Sequence, residues 1–177
     1  MSRPYCEICE LPSRTCICAL ASCIGEVHYP GDIHVIQHPI EAKHAKNSLR
    51  LAKLLMPTLT VWQGEAPEEL TKLRQQVIKS PESWGCFFPE VRSIESSIDA
   101  PSLPATKLLF IDATWRKARK IWHLNPWLHA LPLYHLPNAL TGRYSIRKNH
   151  ADHQLSTLEA IAYSIQYCSD NTPLLEL

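Results

Sequence analysis

Runs of apolar and β-branched residues alternate along the chain with segments whose apolar residues recur at helical spacing. The runs predict strands over residues 32–38, 58–62, 84–88, 107–112 and 131–136. The helically spaced segments predict helices over residues 41–56, 67–78, 114–123 and 155–167. Polar segments over residues 93–104 and 137–149 predict connections. This order favours an α/β fold with a mostly parallel sheet and helices on both faces.

The length of 177 residues suffices for one domain with a sizeable core. We expect a small cysteine-rich segment over residues 1–25 and a main domain over residues 26–177. In parallel sheets, ligands bind beyond the carboxyl ends of the strands. The residues that stand at those ends are therefore the first candidates for chemistry: His38, Pro89, Asp112 and Pro137.

Composition predicts a soluble protein, and the charges are distributed unevenly along the chain. Hydrophobic residues make up 45% of the chain, and no apolar run approaches the roughly 18 residues that a membrane span needs. The first residues carry cysteines where a signal peptide would be apolar, so we expect a cytoplasmic protein without a membrane partner. The net charge is only +1. Between residues 107 and 148, however, Asp112 is the only acid, and the bases are Lys107, Arg116, Lys117, Arg119, Lys120, Arg143, Arg147 and Lys148. This asymmetry suits contact with a polyanion, although a solvated surface produces it too.

Four of the seven cysteines are crowded near the start of the chain, in Cys6-x-x-Cys9 and Cys16-x-Cys18. Thiolates at these spacings converge on one tetrahedral ion, so we predict a structural zinc site. Two disulfides are the alternative in an oxidising compartment, and an iron–sulfur cluster is the other. Three further cysteines are interpreted as buried thiols, although the first is near enough to replace a zinc ligand: Cys23, Cys86 and Cys168.

Asp112 ends the clearest strand and precedes a basic helix. A carboxylate there can cap the helix, or it can act as a general base beside the aromatic ring of Trp115. Trp115 can equally be a core residue. His38 and Glu41 mark a second strand end, where the histidine is more typical of structure than of catalysis. With five glycines and no glycine-rich loop, phosphate-loop and ordinary dinucleotide-binding folds are not favoured.

The sequence resembles the DTW-domain family of tRNA-uridine aminocarboxypropyltransferases, and the resemblance rests on several ordered motifs. The signature is Asp112-x-Thr114-Trp115. It is preceded by the cysteine motifs, by His38-Pro39-x-Glu41 and by Phe88-Pro89, and followed by Tyr144-x-x-Arg147-Lys148 and by Leu155 through Ala160. Together these motifs span nearly the whole chain. One departure is Asn47-Ser48-Leu49, where the family often shows Asn-Thr-Gly.

The resemblance implies a fold similar to that of SPOUT-type methyltransferases, with a knotted cofactor loop. It implies transfer of the 3-amino-3-carboxypropyl group of S-adenosylmethionine to N3 of a tRNA uridine, in the variable loop, with release of methylthioadenosine. An RNA methyltransferase of the same fold and a non-enzymatic, zinc-containing RNA-binding module are the alternatives. We expect tRNA as the partner and a monomeric protein.

The resemblance also implies roles for individual residues. Catalysis is expected from Asp112, Thr114 and Trp115. Main-chain groups and Arg147 are expected to bind the cofactor, within a set comprising Phe88, Pro89, Leu133, His135, Leu136, Tyr144 and Arg147. The expected contacts to tRNA phosphates are Lys43, Lys46, Arg50, Arg116, Lys117 and Lys120. The expected zinc ligands are Cys6, Cys9, Cys16 and Cys18.

Overall fold

A computed structural model describes residues 4–44, 47–88, 97–99, 106–136 and 155–169 of the chain. Within these residues, six parallel strands form one sheet in the order β2-β1-β5-β3-β6-β4. The strands are β1 (Asp32–Gln37), β2 (Thr60–Gln63), β3 (Trp84–Phe87), β4 (Ser97–Asp99), β5 (Lys107–Asp112) and β6 (Leu133–His135). The prediction of an α/β fold with a parallel sheet is confirmed.

The helices in the described residues are α1 (Cys18–Ile24), α2 (Pro39–Ala42), α3 (Leu49–Leu55), α4 (Thr71–Lys79), α5 (Trp115–Leu124) and α6 (Thr157–Ser169). Short 3-10 helices span Ser13–Thr15, Pro81–Ser83 and Pro126–Ala130. None of the helices in this part of the chain is long and apolar enough to cross a membrane.

Helices cover both faces of the sheet, as the sequence predicts. Alternate residues of β1 supply opposite cores, with Val35 on one side and Ile36 on the other. The first core packs α1, α3 and α6 against the sheet, and the second packs α4 and α5. Because both faces are buried, the strands read as nearly continuous apolar runs rather than as alternating ones.

The single helix predicted over residues 41–56 is wrong, since the chain forms two helices there, α2 and α3. The reason lies in Asn47. Its side-chain oxygen accepts a hydrogen bond from the amide of Leu49 at 2.8 Å, which fixes the start of α3. Its amide group donates to the main-chain oxygen of Glu41 and to Asp112. The local bonds to Leu49 and Glu41 compete with helix continuation, and the bond to Asp112 holds the asparagine in this position.

One described strand and one described α-helix have no counterpart among the predictions. Strand β4 lies inside the segment that was expected to be a polar connection, because three residues are too few to show a periodicity. Helix α1 directly follows the cysteine motifs and contributes Ala21 to the first core. Cys23 on this helix is exposed, so the expectation that it is buried is wrong, whereas Cys86 is buried as expected. The side chain of Cys168 lies outside the described residues, and within those residues the predicted knot is not shown.

The ring of His34 on β1 packs against the rings of Trp62 on β2 and Trp84 on β3. The indole Nε1 of Trp62 donates to Nδ1 of His34 at 3.2 Å, and the His34 ring lies 4.6 Å from that of Trp84. Burial lowers the pKa of His34 from 6.5 to about 4. Protonation would also place an N–H of His34 against the N–H of Trp62, so the folded protein holds this histidine neutral.

We predict that His34 makes the fold sensitive to acid. Below pH 6.5 the unfolded chain binds a proton that the folded chain rejects until pH is near 4, so stability falls as pH falls through this window. The free energy of unfolding should be about 2 kcal/mol lower at pH 5 than at pH 7.5 from this residue alone. Urea unfolding of wild type and His34→Gln at both pH values measures it. An equal pH dependence in both proteins would contradict the assignment.

Candidate functional site

The carboxyl ends of β1 and β5 meet at one edge of the sheet. Gln37 and Asp112 are paired in the parallel register, and the amide of His38 donates to the main-chain oxygen of Asp112 at 3.1 Å. The last strand residues and the first residues beyond them therefore lie side by side, where parallel sheets commonly bind ligands.

The carboxylate of Asp112 accepts hydrogen bonds from three side chains, which come from the end of β1, the segment before α3 and the start of α6. Gln37 Nε2 and Asn47 Nδ2 donate to Oδ2 at 2.9 and 2.7 Å. The hydroxyl of Thr157, at the start of α6, donates to Oδ1 at 2.7 Å. Asp112 is only 7% exposed. The three donors match the acceptor-only character of an ionised carboxylate.

Helix α5 begins without help from Asp112. Its N-cap is Thr114, and no side-chain cap bond is formed, so the helix-capping interpretation of Asp112 is wrong. Thr114 is exposed, and Trp115 is 40% exposed. Trp115 is therefore a surface residue rather than a core residue. The motif thus presents an aromatic ring to solvent three residues after a buried carboxylate.

His38 stands between the sheet edge and an acid that follows β2. Its Nδ1 accepts from the amide of Ile40 at 3.1 Å, and its Nε2 lies 3.6 Å from Oε2 of Glu65. Glu65 Oε1 in turn pairs with Lys120 Nζ at 2.9 Å. This chain of contacts connects the ends of β1 and β2 with α5.

The expected phosphate-binding residues differ in what they contact. Lys117 forms an ion pair with the buried carboxylate of Glu41 at 3.4 Å. Lys120 forms an ion pair with Glu65. Lys43 and Arg116 are exposed. Lys46 lies outside the described residues. The guanidinium of Arg50 donates to main-chain oxygens of the protein itself.

The expected cofactor residues that the structure describes are mostly core residues. The ring of Phe88 stacks on that of Trp122 at 4.7 Å, and Leu133 is buried beside it in the second core. Leu136 is half-buried. These residues offer main-chain rather than side-chain groups to a ligand. His135 is described by its backbone alone, and Pro89, Tyr144 and Arg147 lie outside the described residues.

The four clustered cysteines bring their sulfur atoms within 4.8 Å of one another. The sulfurs of Cys6 and Cys18, and those of Cys9 and Cys16, are each 3.7 Å apart. Zinc–sulfur bonds of about 2.3 Å in a tetrahedron place neighbouring sulfurs about 3.8 Å apart. The spacing therefore fits a single tetrahedral ion, and four thiolates are a typical donor set for zinc.

The protonation behaviour of the cluster also fits a metal site. Main-chain amides of Cys9 and Ile8 hydrogen-bond to the thiolate of Cys6 and lower its pKa to about 6. Burial and the neighbouring cysteine side chains raise the pKa of Cys18 to about 12. The pKa of Cys9 is also lowered, by main-chain hydrogen bonds, whereas the pKa of Cys16 is raised. A full set of four thiolates therefore requires a cation to offset their repulsion.

Arg50 of α3 joins this cluster to the main domain. One guanidinium nitrogen donates to the main-chain oxygens of Cys9 and Glu10 at 3.1 and 3.0 Å, and the other to that of Ala42 at 3.2 Å. The arginine fork thus connects the cysteine loop with the end of α2. Its geometry is that of a structural clamp.

Three residues of the site, Gln37, Asn47 and Thr157, were not predicted as site residues. The departure at Asn47-Ser48-Leu49 retains the asparagine that binds Asp112. The sequence Ser156-x-x-Glu159 does predict the start of α6, because it is the pattern of a capping box. In the structure the amide of Ser156 donates to Oε2 of Glu159, and the amide of Glu159 donates to Oγ of Ser156. This spacing locates the helix start and therefore Thr157.

The fold and the site define a class of α/β protein that has a cysteine cluster and an Asp-x-Thr-Trp motif where a central parallel strand ends. Residues 3–176 match the family model of the DTW domain. The chain belongs to the DTW-domain family, as the resemblance of its motifs predicts.

Curated relatives carry the name tRNA-uridine aminocarboxypropyltransferase 2. The chain is 25% identical to the Mus musculus protein over 179 residues, which cover 98% of this chain and 59% of the relative. It is 31% identical to the Drosophila melanogaster protein over 168 residues, covering 90% of this chain and 64% of the relative. The chain thus spans about three fifths of the length of these relatives. No solved structure matches it.

We predict that the cysteine cluster holds one zinc ion. Elemental analysis of purified protein should find about one zinc per chain, the stoichiometry of a closed four-thiolate site. Cys6→Ser combined with Cys9→Ser should abolish binding, because two sulfurs cannot close the site. Cys23→Ser is the matched control, since Cys23 is exposed and outside the cluster. Retention of zinc by the double variant, or iron in its place, would overturn the prediction.

Proposed function

We propose that this chain transfers the 3-amino-3-carboxypropyl group of S-adenosylmethionine to N3 of a uridine in tRNA, in the variable loop, and releases methylthioadenosine. The observation that carries the proposal is the Asp112 carboxylate, held at the edge of the sheet three residues before the exposed Trp115. Membership of the DTW-domain family and the names of the relatives support it. We further propose that the protein acts in the cytoplasm as a monomer.

The chemistry requires a base near the uridine. The N3 proton is weakly acidic, and its removal makes the nitrogen a nucleophile. When bound, S-adenosylmethionine supplies an electrophilic γ-carbon and a sulfonium that leaves as a neutral thioether. Asp112 receives the proton. Its three donors hold the carboxylate in one orientation, so it needs no rearrangement as the reaction proceeds.

Trp115 and Thr114 suit the recognition of the target base. A nucleobase stacked on an exposed aromatic ring gains about 1–3 kcal/mol regardless of its identity. Trp115 opens α5 and has the exposure that stacking needs. Thr114, exposed beside it, offers a hydroxyl to a polar edge of the base. In this proposal the two residues orient the uridine toward Asp112.

The cofactor is proposed to lie against the ends of β3 and β6, which are neighbours in the sheet. Main-chain groups following these strands suit the polar edge of an adenine, because the side chains of Phe88 and Leu133 are turned into the core. Arg147 remains our candidate for binding the methionine carboxylate, since a guanidinium binds a carboxylate through two parallel hydrogen bonds.

The tRNA surface is proposed to centre on Arg116 and Lys43, which are exposed. Lys117 and Lys120 have acidic partners that reduce their net attraction for phosphate. The zinc segment, fixed by Arg50, is proposed to extend this surface.

The proposed reaction predicts a defined product. Mass spectrometry of tRNA incubated with the protein and S-adenosylmethionine should show one aminocarboxypropyl group added to a uridine. Asp112→Asn should reduce single-turnover transfer by roughly two to four powers of ten, the range expected for loss of a general base. The variant also turns an amide N–H₂ toward existing donors, at a cost of about 1–3 kcal/mol in stability. A thermal melt must therefore establish that it is folded at the assay temperature.

Other outcomes of the same experiment identify the alternatives. Addition of a methyl group instead would make the protein an RNA methyltransferase. Binding of tRNA without any product would make it an RNA-binding module. Transfer by folded Asp112→Asn near the wild-type rate would remove Asp112 from the chemistry.

We predict that Arg116 contributes to tRNA binding, whereas Arg50 stabilises the fold. Arg116→Gln should reduce the salt dependence of binding by roughly 0.7 to 0.9 in the slope of log K against log salt, the effect of one lost phosphate contact, without lowering the melting temperature. Arg50→Gln should lower the melting temperature, because the clamp on three main-chain oxygens is lost. Lys79→Gln, with the same charge change on an exposed residue where α4 ends, is the control. An unchanged slope for Arg116→Gln would exclude the contact.

A further inference from the structure

The carboxylate of Asp112 is buried and largely occupied by its donors. Oδ2 is bound by the amide groups of Gln37 and Asn47, and Oδ1 by the hydroxyl of Thr157. Of the three donors, only the hydroxyl can both give and receive a proton at neutral pH, because an amide nitrogen does not accept one. A proton that travels between solvent-accessible substrate and Asp112 therefore has a chemically competent route through Thr157.

The position of Thr157 supports this role. The residue is half-buried, so it is more accessible than the carboxylate it contacts. The 2.7 Å separation of its oxygen from Asp112 Oδ1 is in the short range typical of a hydroxyl bound to an anion. Among the described residues its hydroxyl has no second hydrogen-bond partner. Its oxygen retains lone pairs that can accept an N–H.

The hydroxyl of Thr157 is not needed to cap helix α6. Ser156 and Glu159 cap α6 between them, with bonds of 2.8 and 3.3 Å. The backbone of α6 is thereby fixed without the Thr157 side chain. A threonine adjoining a complete capping box, yet bonded to a carboxylate 45 residues away in sequence, serves the site rather than the helix.

We propose that Thr157 is a catalytic residue that relays the uridine N3 proton to Asp112. The proton passes from N3 to Oγ1 of Thr157 as the hydroxyl proton passes to Oδ1 of Asp112. The nitrogen forms a bond to the γ-carbon, the carbon–sulfur bond breaks, and its electron pair stays on sulfur. The hydroxyl is regenerated, and Asp112 holds the proton. This inference rests on the proposed function.

Gln37 and Asn47 act as positioning residues for the carboxylate of Asp112. Both bind Oδ2, and they approach it from β1 and from the start of α3. With Oδ2 held by two amides, Oδ1 is directed at Thr157. The proton is delivered to a single oxygen in a fixed orientation.

The test compares three variants in single-turnover transfer with saturating tRNA and S-adenosylmethionine. Thr157→Val keeps the shape but removes the hydroxyl, and should lower the rate by about 10²-fold or more, as loss of proton transfer does. Thr157→Ser keeps the hydroxyl and should stay within a few-fold of wild type. Ser156→Ala weakens the helix cap but leaves the relay, and should also stay within a few-fold. A Thr157→Val rate equal to wild type overturns the proposal.

A second substrate separates proton relay from placement of α6. In tRNA transcribed with 5-fluorouridine the N3 proton is more acidic, so the reaction depends less on a base. The deficits of Thr157→Val and Asp112→Asn should both shrink on this substrate. An undiminished Thr157→Val deficit would mean that the hydroxyl only positions the helix, and would overturn the relay. If Thr157→Val fails to fold, Thr157→Ala is measured in its place with both substrates.

Wild-type protein distinguishes this inference from the proposed function. If wild type adds no aminocarboxypropyl group to tRNA, the proposed function fails and the relay fails with it. If wild type transfers the group while the folded Thr157 variants do so equally fast, only the relay is wrong.

Discussion

The hydrogen bonds to the Asp112 carboxylate are the constraint on which this edge of the molecule depends. They join the end of β1, the start of α3 and the start of α6 to the end of β5. Breaking the acceptor would leave three buried or half-buried donors without partners, each at a cost of about 1–3 kcal/mol if it stays desolvated. The same bonds that assemble the edge also orient the carboxylate of Asp112, so folding and the proposed chemistry share a single set of contacts.

The strands and the central carboxylate are predictable because local sequence encodes them. The run ending in Asp112 has the apolar character of a buried parallel strand and stops where a basic helix begins. The partners of that carboxylate are not predictable in this way, because Gln37, Asn47 and Thr157 lie 75, 65 and 45 residues from it in sequence. Only the strand order brings them together, and a single sequence contains no local signal for strand order. The break between α2 and α3 is missed for the same reason, since it serves a distant acceptor.

Charge counting along the sequence has a similar limit. The basic helix α5 reads as a polyanion surface, yet Lys117 and Lys120 face Glu41 and Glu65. Those acids come from elements far away in the chain. Arg50 is a clearer case, because its guanidinium is engaged with carbonyl oxygens of the cysteine loop and of α2. A cation in a sequence therefore indicates a possible contact with phosphate only after its partners within the fold are known.

The neutral histidine between two tryptophans lies near the start of β1, whereas Asp112 ends the neighbouring strand. The titration that affects folding and the proposed proton transfer at Asp112 are thus separated along the length of the strands. With its pKa near 4, His34 stays uncharged throughout the neutral and alkaline range. A kinetic profile recorded above pH 7 will therefore contain no contribution from the ionisation of this buried histidine.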